Sequence, residues 1–291
     1  MEDRYFFFGF GQVAKNFVLL LKKEKKKFKF SATSTSRSGF KNYSDIKYQS
    51  FKFKNNSYDK KIIKYLSLSN FLLVSVPPVN NNDIVLKNFS KFISLNKNIR
   101  IIYLSATSVY GDHKGRWVNE KSKLKPSTIF GKRRKKAEKN WLKFQRENKN
   151  NIIIFRLPGI YSKENNALKR LRYSNKVIID KKKHFFSRIR VEDIAKAIHK
   201  GFEKKNLGGQ IFNISDDLPA SSEVVTRYSA KLLKIKNIKS INVSRLKNKM
   251  ARDFYKESKK VSNKKMKKIL KIKLKYPSYK KGLKSLLNNF I

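Results

Sequence analysis

A glycine pattern close to the amino terminus carries the clearest chemical signal in the sequence. The apolar run Tyr5–Phe8 fits a buried strand, and the segment Gly9–Ala14 then spells Gly-x-Gly-x-x-Ala ahead of an apolar helix pattern. In such a turn Gly9 permits the tight bend, and Gly11 lets the backbone approach a pyrophosphate. The N–H groups and positive dipole end of the following helix favour an anion. The predicted cofactor contacts at this turn are Gly9, Gly11, Gln12 and Val13.

The choice of cofactor depends on the end of the second predicted strand. An acidic residue there would hold the ribose hydroxyls of NAD, but the chain runs instead through the hydroxyl-rich segment Ser31–Ser38, which contains Arg37. A guanidinium forms paired hydrogen bonds with phosphate oxygens, so Arg37 fits a 2′-phosphate. The sequence therefore favours NADP, with NAD as the second choice. The alternative is that Arg37 is one more solvated base in a basic chain.

The charge balance is extreme but spread along the chain. The 291 residues include 71 Lys and Arg against 20 Asp and Glu, a formal net charge of +51. Most of the bases are Lys, and they accompany abundant Asn, Ile and Phe, the residues that A- and T-rich codons encode. A dedicated nucleic-acid protein would concentrate its charge and favour Arg. We therefore expect non-specific attraction to polyanions, and nucleic-acid binding is the less favoured main role.

Several classes of site and location are disfavoured by composition. Without cysteine the chain has no disulfide and no thiolate, and its three histidines, His113, His184 and His199, show no ligand spacing, so no metal is predicted. No apolar run approaches the ~20 residues of a membrane span. The acidic start at Glu2 and Asp3 argues against a secretory signal. We predict a cytoplasmic protein with no membrane partner; the sequence is compatible with an oligomer.

Strand-like and helix-like segments alternate over the first 160 residues, which is typical of a parallel sheet with crossover helices. The predicted strands are Tyr5–Phe8, Phe28–Ala32, Tyr48–Phe53, Phe71–Val76, Ile99–Ser105 and Ile152–Leu157. The predicted helices are Gln12–Leu21, Lys60–Leu66, Asp83–Ile93 and Lys132–Phe144. The fold class is therefore α/β, with a Rossmann-type doubly wound parallel sheet.

The regular alternation of strand-like and helix-like segments ends at about residue 160. Residues 162–185 are predicted to be irregular, Val191–Phe202 to form a helix and Gly209–Ile214 a strand. After Pro219 the chain is predicted to be mostly helical, with a short extended stretch near Ile272–Lys275. We predict a dinucleotide domain over residues 1–160, to which 186–215 return. Residues 161–185 and 216–291 form a smaller, partly interleaved substrate lobe.

Two predicted strands end at prolines, at the edge of the sheet where a ligand is expected to bind. Ligands of open α/β sheets bind beyond the carboxyl ends of the strands. Prolines break the chain after the fourth and sixth predicted strands. At the first break Ser75, Val76 and Pro77 are predicted to border the nicotinamide half of the cofactor, and at the second break Leu157 and Pro158 are predicted to contact the cofactor.

Motifs along nearly the whole chain resemble the extended short-chain dehydrogenase/reductase superfamily, the NAD(P)-dependent epimerase/dehydratase group. They are Gly9–Ala14, Ser105–Asp112, Phe130-Gly131 with Ala137-Glu138, Arg156–Tyr161, Ser187–Ala195 and Phe212–Asp217. The segment Tyr276–Leu283 indicates an atypical branch. The resemblance implies a nicotinamide cofactor and an epimerase, dehydratase or reductase activity on a small polar, nucleotide-linked substrate. It also implies that Arg188 and Arg190 face an anionic substrate.

The usual catalytic groups of that superfamily are missing. Its members move a proton with a Tyr-x-x-x-Lys pair, which falls here on Phe130 and Arg134, and the Ser/Thr position falls on Ala106. Phenylalanine has no proton to give, and Arg cannot act as a base. A register shift does not restore the motif, because no Tyr occurs between Tyr110 and Tyr161.

Three interpretations of this departure stay open. The chain has lost its chemistry and kept dinucleotide binding as a sensor or scaffold, or it uses other groups, or the motif has been aligned in the wrong register. The weak catalytic candidates are Tyr110, Ser108 and Tyr161, with Lys132 and Lys135 beside them.

Overall fold

The computed structural model describes residues 2–173, 177–181, 184–247 and 249–289. The strands are β1 (Asp3–Phe8), β2 (Phe28–Ser34), β3 (Gly39–Tyr43), β4 (Ile46–Lys54), β5 (Ser57–Tyr58), β6 (Phe71–Val74), β7 (Arg100–Ala106), β8 (Trp117–Val118), β9 (Asn151–Leu157), β10 (Gly159–Tyr161), β11 (Val177–Asp180), β12 (Arg188–Arg190), β13 (Ile211–Asn213), β14 (Lys239–Asn242) and β15 (Lys260–Val261). The α-helices are α1 (Gln12–Lys23), α2 (Lys61–Ser67), α3 (Ile84–Leu95), α4 (Ile129–Asn148), α5 (Ala167–Tyr173), α6 (Val191–Glu203), α7 (Ser222–Leu232), α8 (Lys249–Phe254), α9 (Lys264–Leu270) and α10 (Tyr279–Lys284).

A largely parallel sheet organises the first part of the chain. Its strand order is β13-β9-β7-β6-β1-β2-β4-β3, with β5 paired to β4. The pairs β1–β2, β1–β6, β6–β7 and β2–β4 are parallel, whereas β3–β4 and β4–β5 are antiparallel. The order reverses direction about β1, as in Rossmann-type sheets. The predicted fold class is confirmed.

The aromatic run of β1 is buried on both faces of this sheet. Phe6 and Phe8 join one apolar cluster with residues of α2, α3 and α4. Tyr5 and Phe7 point the other way, and both contact Phe17 of α1 edge-on. Alternate side chains of a strand leave opposite faces, so a strand covered by helices on both sides must be apolar throughout. This explains why β1 reads as an unbroken apolar run.

Strand β3, where the sequence predicts no element, forms an antiparallel hairpin with β4, which contains the predicted strand Tyr48–Phe53. Strands β3 and β4 meet through Ser44 and Asp45, whose φ angles are 50° and 62°. Two consecutive positive φ values define the turn that matches the twist of a hairpin. Asn and Gly are the usual residues there, and Ser44-Asp45 lacks that signature. Strand β3 also alternates between half-buried and exposed residues, which leaves no apolar period to detect.

The chain divides into two compact units. The first comprises Met1–Ser105, Arg133–Arg156 and Ile194–Phe212, and it contains the sheet; the second comprises Ala106–Lys132, Leu157–Asp193 and Asn213–Ile291. The second unit contains three short parallel pairs, β10–β12, β11–β14 and β8–β15, and an apolar cluster to which α5, α7 and α10 contribute. The functional boundaries predicted from the sequence stay a prediction.

Most predicted elements are present, with ends shifted by a few residues, but the second unit holds more structure than expected. Within 162–185, predicted to be irregular, lie α5 and β11; residues 174–176 and 182–183 are outside the described part. Strands β14 and β15 interrupt the region predicted to be mostly helical, and Ile272–Lys275 forms no strand. These strands are two to four residues long, too short for a periodic pattern.

A buried ion pair ties α4 to the sheet in the first unit. Arg156 on β9 donates to Glu138 of α4 at 2.7 Å, and Ser105 Oγ donates to the same carboxylate at 2.6 Å. The two charged side chains are only 2% and 3% exposed. Removing one partner of such a pair leaves an uncompensated buried charge, which is far more harmful than the pair itself is helpful.

We therefore expect Glu138→Ala to destabilise the protein by about 3–5 kcal/mol, because the buried charge of Arg156 would lose this carboxylate. Urea unfolding followed by circular dichroism measures the difference. Lys139→Ala, at an exposed position of the same helix, is the matched control and should change stability by less than about 0.5 kcal/mol. Equal midpoints for the two variants would contradict the structural role of the pair.

Candidate functional site

The turn after β1 has a backbone that only glycine accommodates at its first position. Gly9 has a φ of 87°, and a Cβ added there would lie 2.7 Å from Ser75 Oγ. Both the left-handed backbone and the close approach exclude other residues. The predicted role of Gly9 as the residue of the tight bend thus has a geometric basis.

Side chains from the neighbouring strands fix this turn. Thr33 at the end of β2 accepts a hydrogen bond from Gly9 N at 2.9 Å. Ser75, directly after β6, donates from Oγ to the carbonyls of Phe8 and Gly9 at 3.0 and 3.2 Å. Val76 N donates to Phe8 O at 3.2 Å, so the predicted residues Ser75 and Val76 do adjoin the glycine turn. Pro77 follows them and is exposed.

Helix α1 begins at this turn with its amide groups uncapped. Gly11 is the N-cap, no side chain caps the helix, and its first turn holds no acidic residue. A Cβ on Gly11 would meet nothing within 4 Å, so the space in front of the helix is open. Gln12 is exposed and Val13 is buried against the sheet. Free N–H groups at a helix start in open space are a ready anion site.

The segment after β2 presents cations beside hydroxyl groups. Arg37 is exposed, and among the described residues its guanidinium has no hydrogen-bond partner. Lys41 of β3 donates from Nζ to Ser36 Oγ at 2.7 Å, and Ser36 is bonded in turn to Ser34 at 2.9 Å. Sequence reasoning found Arg37 but missed Lys41, because the hairpin that carries it was not predicted.

The positions of the family's catalytic pair hold groups without proton-transfer capacity. Phe130 is 48% exposed. Arg134 donates to Leu104 O at 2.6 Å and to the Tyr103 hydroxyl at 3.1 Å, so its guanidinium is hydrogen-bonded to the end of β7. Ser105, beside the vacant Ser/Thr position, is engaged with Glu138. These contacts give the departures from the family pattern structural roles.

The three weak catalytic candidates occupy different environments. Tyr110 is fully buried and donates to Asn213 Oδ1 at 2.7 Å, an arrangement suited to holding structure. Ser108 lies half-buried on a single helical turn at Thr107–Tyr110. The Tyr161 hydroxyl is buried and has no hydrogen-bond partner among the described residues, and burial raises its pKa above the ordinary range.

The second unit contains a cavity of about 620 Å³ with two arginines in its wall, which we name the arginine cavity. Arg188 donates to the carbonyls of Ala220 and Phe186, at 2.9 and 3.3 Å. Burial, with the nearby Arg170 cation adding to it, lowers the pKa of Arg188 to about 10. Within the described chain neither Arg170 nor Arg188 forms a salt bridge. The Asp216 carboxyl group acts on Arg188 in the opposite sense, but burial raises the pKa of Asp216 to about 8, which disfavours its negative charge. Two neighbouring arginines with no salt-bridge partner favour an anionic ligand.

Aromatic side chains form much of the rest of that wall. The aromatic residues are Tyr161, Phe186, Phe254, Tyr255 and Tyr279. Phe186 lies under the Arg188 guanidinium, 3.7 Å from ring centre to Cζ. Aromatic faces and a few placed charges are typical of ligand pockets.

The other predicted residues of this region have different surroundings. Arg190 donates to both carboxylate oxygens of Glu192, at 2.6 and 2.8 Å, and to Gly282 O at 3.0 Å, so its charge is already neutralised. Leu157 is buried at the end of β9, and Pro158 is half-buried after it.

Two features are absent from the described residues. None of their helices has both the length and the apolar character that crossing a membrane requires. They also contain no group of three or more His, Cys, Asp or Glu side chains that could hold a metal ion.

A Rossmann-type α/β unit in which a glycine turn leads into an uncapped helix is typical of nucleotide-binding folds. Residues 85–215 match the sequence model of the NAD dependent epimerase/dehydratase family. The glycine turn lies before the matched range, so it is an independent feature. The resemblance predicted from the sequence is confirmed.

Solved structures share this fold over almost the full length. A functionally unknown conserved protein from Silicibacter pomeroyi is 28% identical with a TM-score of 0.85, covering 99% of each chain. The dTDP-glucose 4,6-dehydratase of Bacillus anthracis, in complex with NAD, is 15% identical with a TM-score of 0.79, covering 100% of this chain and 96% of that one. MoeE5 in complex with UDP-glucuronic acid and NAD is 15% identical with a TM-score of 0.79, covering 98% of each chain. Among curated proteins, none matches the sequence.

Proposed function

We propose that this protein binds a nicotinamide dinucleotide at the glycine turn and acts on a small polar, nucleotide-linked substrate as an epimerase, dehydratase or reductase. The observation that carries the proposal is the uncapped start of α1, where Gly11 leaves open space in front of free N–H groups. A diphosphate would receive hydrogen bonds from those amides and attraction from the helix dipole.

The residues at the turn fit such a cofactor. The amides after Gly9 and Gly11 would hold its diphosphate, and Ser75 and Val76 would border the nicotinamide half. When bound, the nicotinamide supplies a group that accepts and returns a hydride. The protein contributes binding and orientation, and it must provide the group that moves the accompanying proton.

The arginine cavity supports an anionic, nucleotide-linked substrate. Its two guanidinium groups suit phosphate oxygens, and its aromatic faces suit a planar base. Arg188 keeps its predicted role in this proposal. Arg190 serves instead to order the chain around Glu192, and Arg170 takes its place as the second cation.

A non-catalytic dinucleotide-binding protein is the second candidate. Phe130 and Arg134 favour it, since they occupy the positions of the family's proton-transfer pair. The two functions differ in one measurable respect: only an enzyme exchanges hydride between bound cofactor and substrate.

Gly11→Val tests the dinucleotide site. The free protein has room for the side chain, so we expect a Tm within about 2 °C of wild type and loss of NADPH binding by at least about 100-fold. Calorimetric titration measures the affinity and a thermal scan the stability. Leu19→Val, on an exposed part of the same helix, is the control and should bind normally. NADPH binding by Gly11→Val at wild-type affinity would overturn the proposed site.

Arg37→Ala tests the preference for NADP. Losing a charged hydrogen bond to a phosphate costs about 1.5–3 kcal/mol, so NADPH affinity should fall by about 10- to 100-fold. NADH affinity should stay within twofold, and Lys41→Ala should act in the same direction. Lys54 is exposed on β4, so Lys54→Ala removes one positive charge away from the site and is the matched control. An unchanged ratio of NADPH to NADH affinity in Arg37→Ala would show that the 2′-phosphate is not read there.

Arg170→Gln tests the arginine cavity, with UDP as the probe. We expect the UDP dissociation constant to rise about tenfold or more, because one of two phosphate-facing cations is lost. Its neighbour Lys169 is exposed and lies outside the cavity wall, so Lys169→Gln should bind UDP as wild type does. Calorimetry at two salt concentrations separates this site from general attraction to the basic surface. The assignment fails if both variants bind UDP equally.

A further inference from the structure

A smaller cavity of about 210 Å³ in the second unit contains a buried lysine, and we name it the lysine cavity. Its polar lining includes Thr107, Ser108, Thr128, Glu257 and Lys259, and Phe130 also lines it. It shares the wall residues Gly159, Phe186 and Phe254 with the arginine cavity. The two cavities are therefore neighbours in the second unit.

Lys259 is held in a defined position but keeps a free donor. Lys259 is only 6% exposed. Its Nζ donates to Gly111 O and to Glu257 Oε2, both at 2.8 Å. An ammonium has three N–H groups, and among the described residues the third has no acceptor.

The surrounding segments fix the pair formed by Lys259 and Glu257. Ser127 Oγ donates to Glu257 Oε1 at 2.7 Å, which occupies the second carboxylate oxygen. The main chain is held as well, with Ser258 N donating to Asp112 Oδ1 at 2.9 Å and Lys259 N to Phe185 O at 2.8 Å. These contacts hold the ammonium group of Lys259 at a fixed place in the cavity wall.

The lining of the lysine cavity also includes unengaged hydroxyl groups. The side chains of Thr107 and Ser108 have no hydrogen-bond partner among the described residues, and both line the cavity. Phe130, which occupies the position of the family's tyrosine, is part of the same lining. The cavity thus combines hydroxyl groups, an ammonium and an apolar ring around a space suited to a small polar group.

Charged and titratable groups face Lys259 from three segments. They are Glu257 on its own segment, Asp112 on the loop after β7, and His184 before β12. Burial lowers the pKa of Lys259 below its ordinary value, while Glu257 and Asp112 oppose that change. Lysines whose pKa is lowered by burial serve as acids and bases in other enzymes.

We infer that Lys259 is the proton-transfer group of this protein, acting on a substrate oxygen held against Thr107 and Ser108. In the reducing direction a Lys259 N–H bond breaks, the nitrogen keeps the electron pair, and an O–H bond forms on the substrate alkoxide. In the oxidising direction the neutral amine takes the hydroxyl proton. The inference rests on the proposed function, whose nicotinamide accounts for the hydride.

Competitive acetylation with acetic anhydride tests Lys259 without any turnover. Wild-type protein is labelled between pH 6 and 11, and peptide mass spectrometry follows Lys259 and its half-exposed neighbour Lys260. The midpoint of the pH profile is compared rather than the rate, because burial slows the reaction itself. We expect the Lys259 midpoint at least one pH unit below that of Lys260. Equal midpoints would overturn the inference.

Hydride exchange tests the role itself. Wild type, Lys259→Met, Lys259→Arg and the control Lys260→Met are given a dinucleotide with UDP-glucose, UDP-glucuronic acid or dTDP-glucose. We expect both Lys259 variants to lose about 100-fold or more in kcat, with KM and dinucleotide affinity within threefold and the pH dependence of kcat abolished. Lys259→Arg keeps the charge, and a thermal scan of both variants beside wild type separates loss of the proton-transfer group from unfolding.

The outcomes separate this inference from the proposed function. If Lys259→Met exchanges hydride at a rate within threefold of wild type, the role of Lys259 is overturned and the proposed enzymatic function is not. Wild type that binds NADPH yet exchanges hydride with none of the sugars also overturns it. Wild type that binds no dinucleotide overturns the proposed function, and the acetylation midpoints then decide whether Lys259 has the expected acidity.

Discussion

The contact between Gly9 and Ser75 is the constraint on which the proposed dinucleotide site depends. Hydrogen bonds from Ser75 to the carbonyls of Phe8 and Gly9 draw the end of β6 against the end of β1. Thr33 holds the Gly9 amide from the other side. The chain therefore leaves β1 in one direction only, and α1 starts with its amides aimed away from the sheet. The aromatic packing of β1 anchors this arrangement from behind.

The acidic residues of this chain are few, and the structure places several of them against buried cations. Glu138 neutralises Arg156 in the first unit, and Glu257 accompanies Lys259 in the second. Exposed lysines also pair with carboxylates, as Lys22 does with Asp45 and Lys200 does with Glu203, so pairing alone does not mark a site. What distinguishes Arg156, Arg188 and Lys259 is burial, since these three side chains carry their charges in the interior.

The sequence was sufficient for the sheet and for the glycine turn, because both rest on local patterns. An apolar run followed by spaced glycines is visible within ten residues. The β3–β4 hairpin was missed since Ser44-Asp45 is an unusual hairpin turn and β3 has no buried face. Lys259 could not be found either, because its partner Gly111 lies 148 positions earlier and only the fold brings them together. Glu138 was noticed as part of a family motif, but its pairing with Arg156 and Ser105 is a tertiary contact.

Gly11 differs from Gly9 in what requires it. The free protein would accept a larger residue at Gly11, since its backbone is extended and no atom is near. If a diphosphate lies in front of α1 as we propose, the limit on the size of the side chain at position 11 comes from the bound molecule and not from the fold.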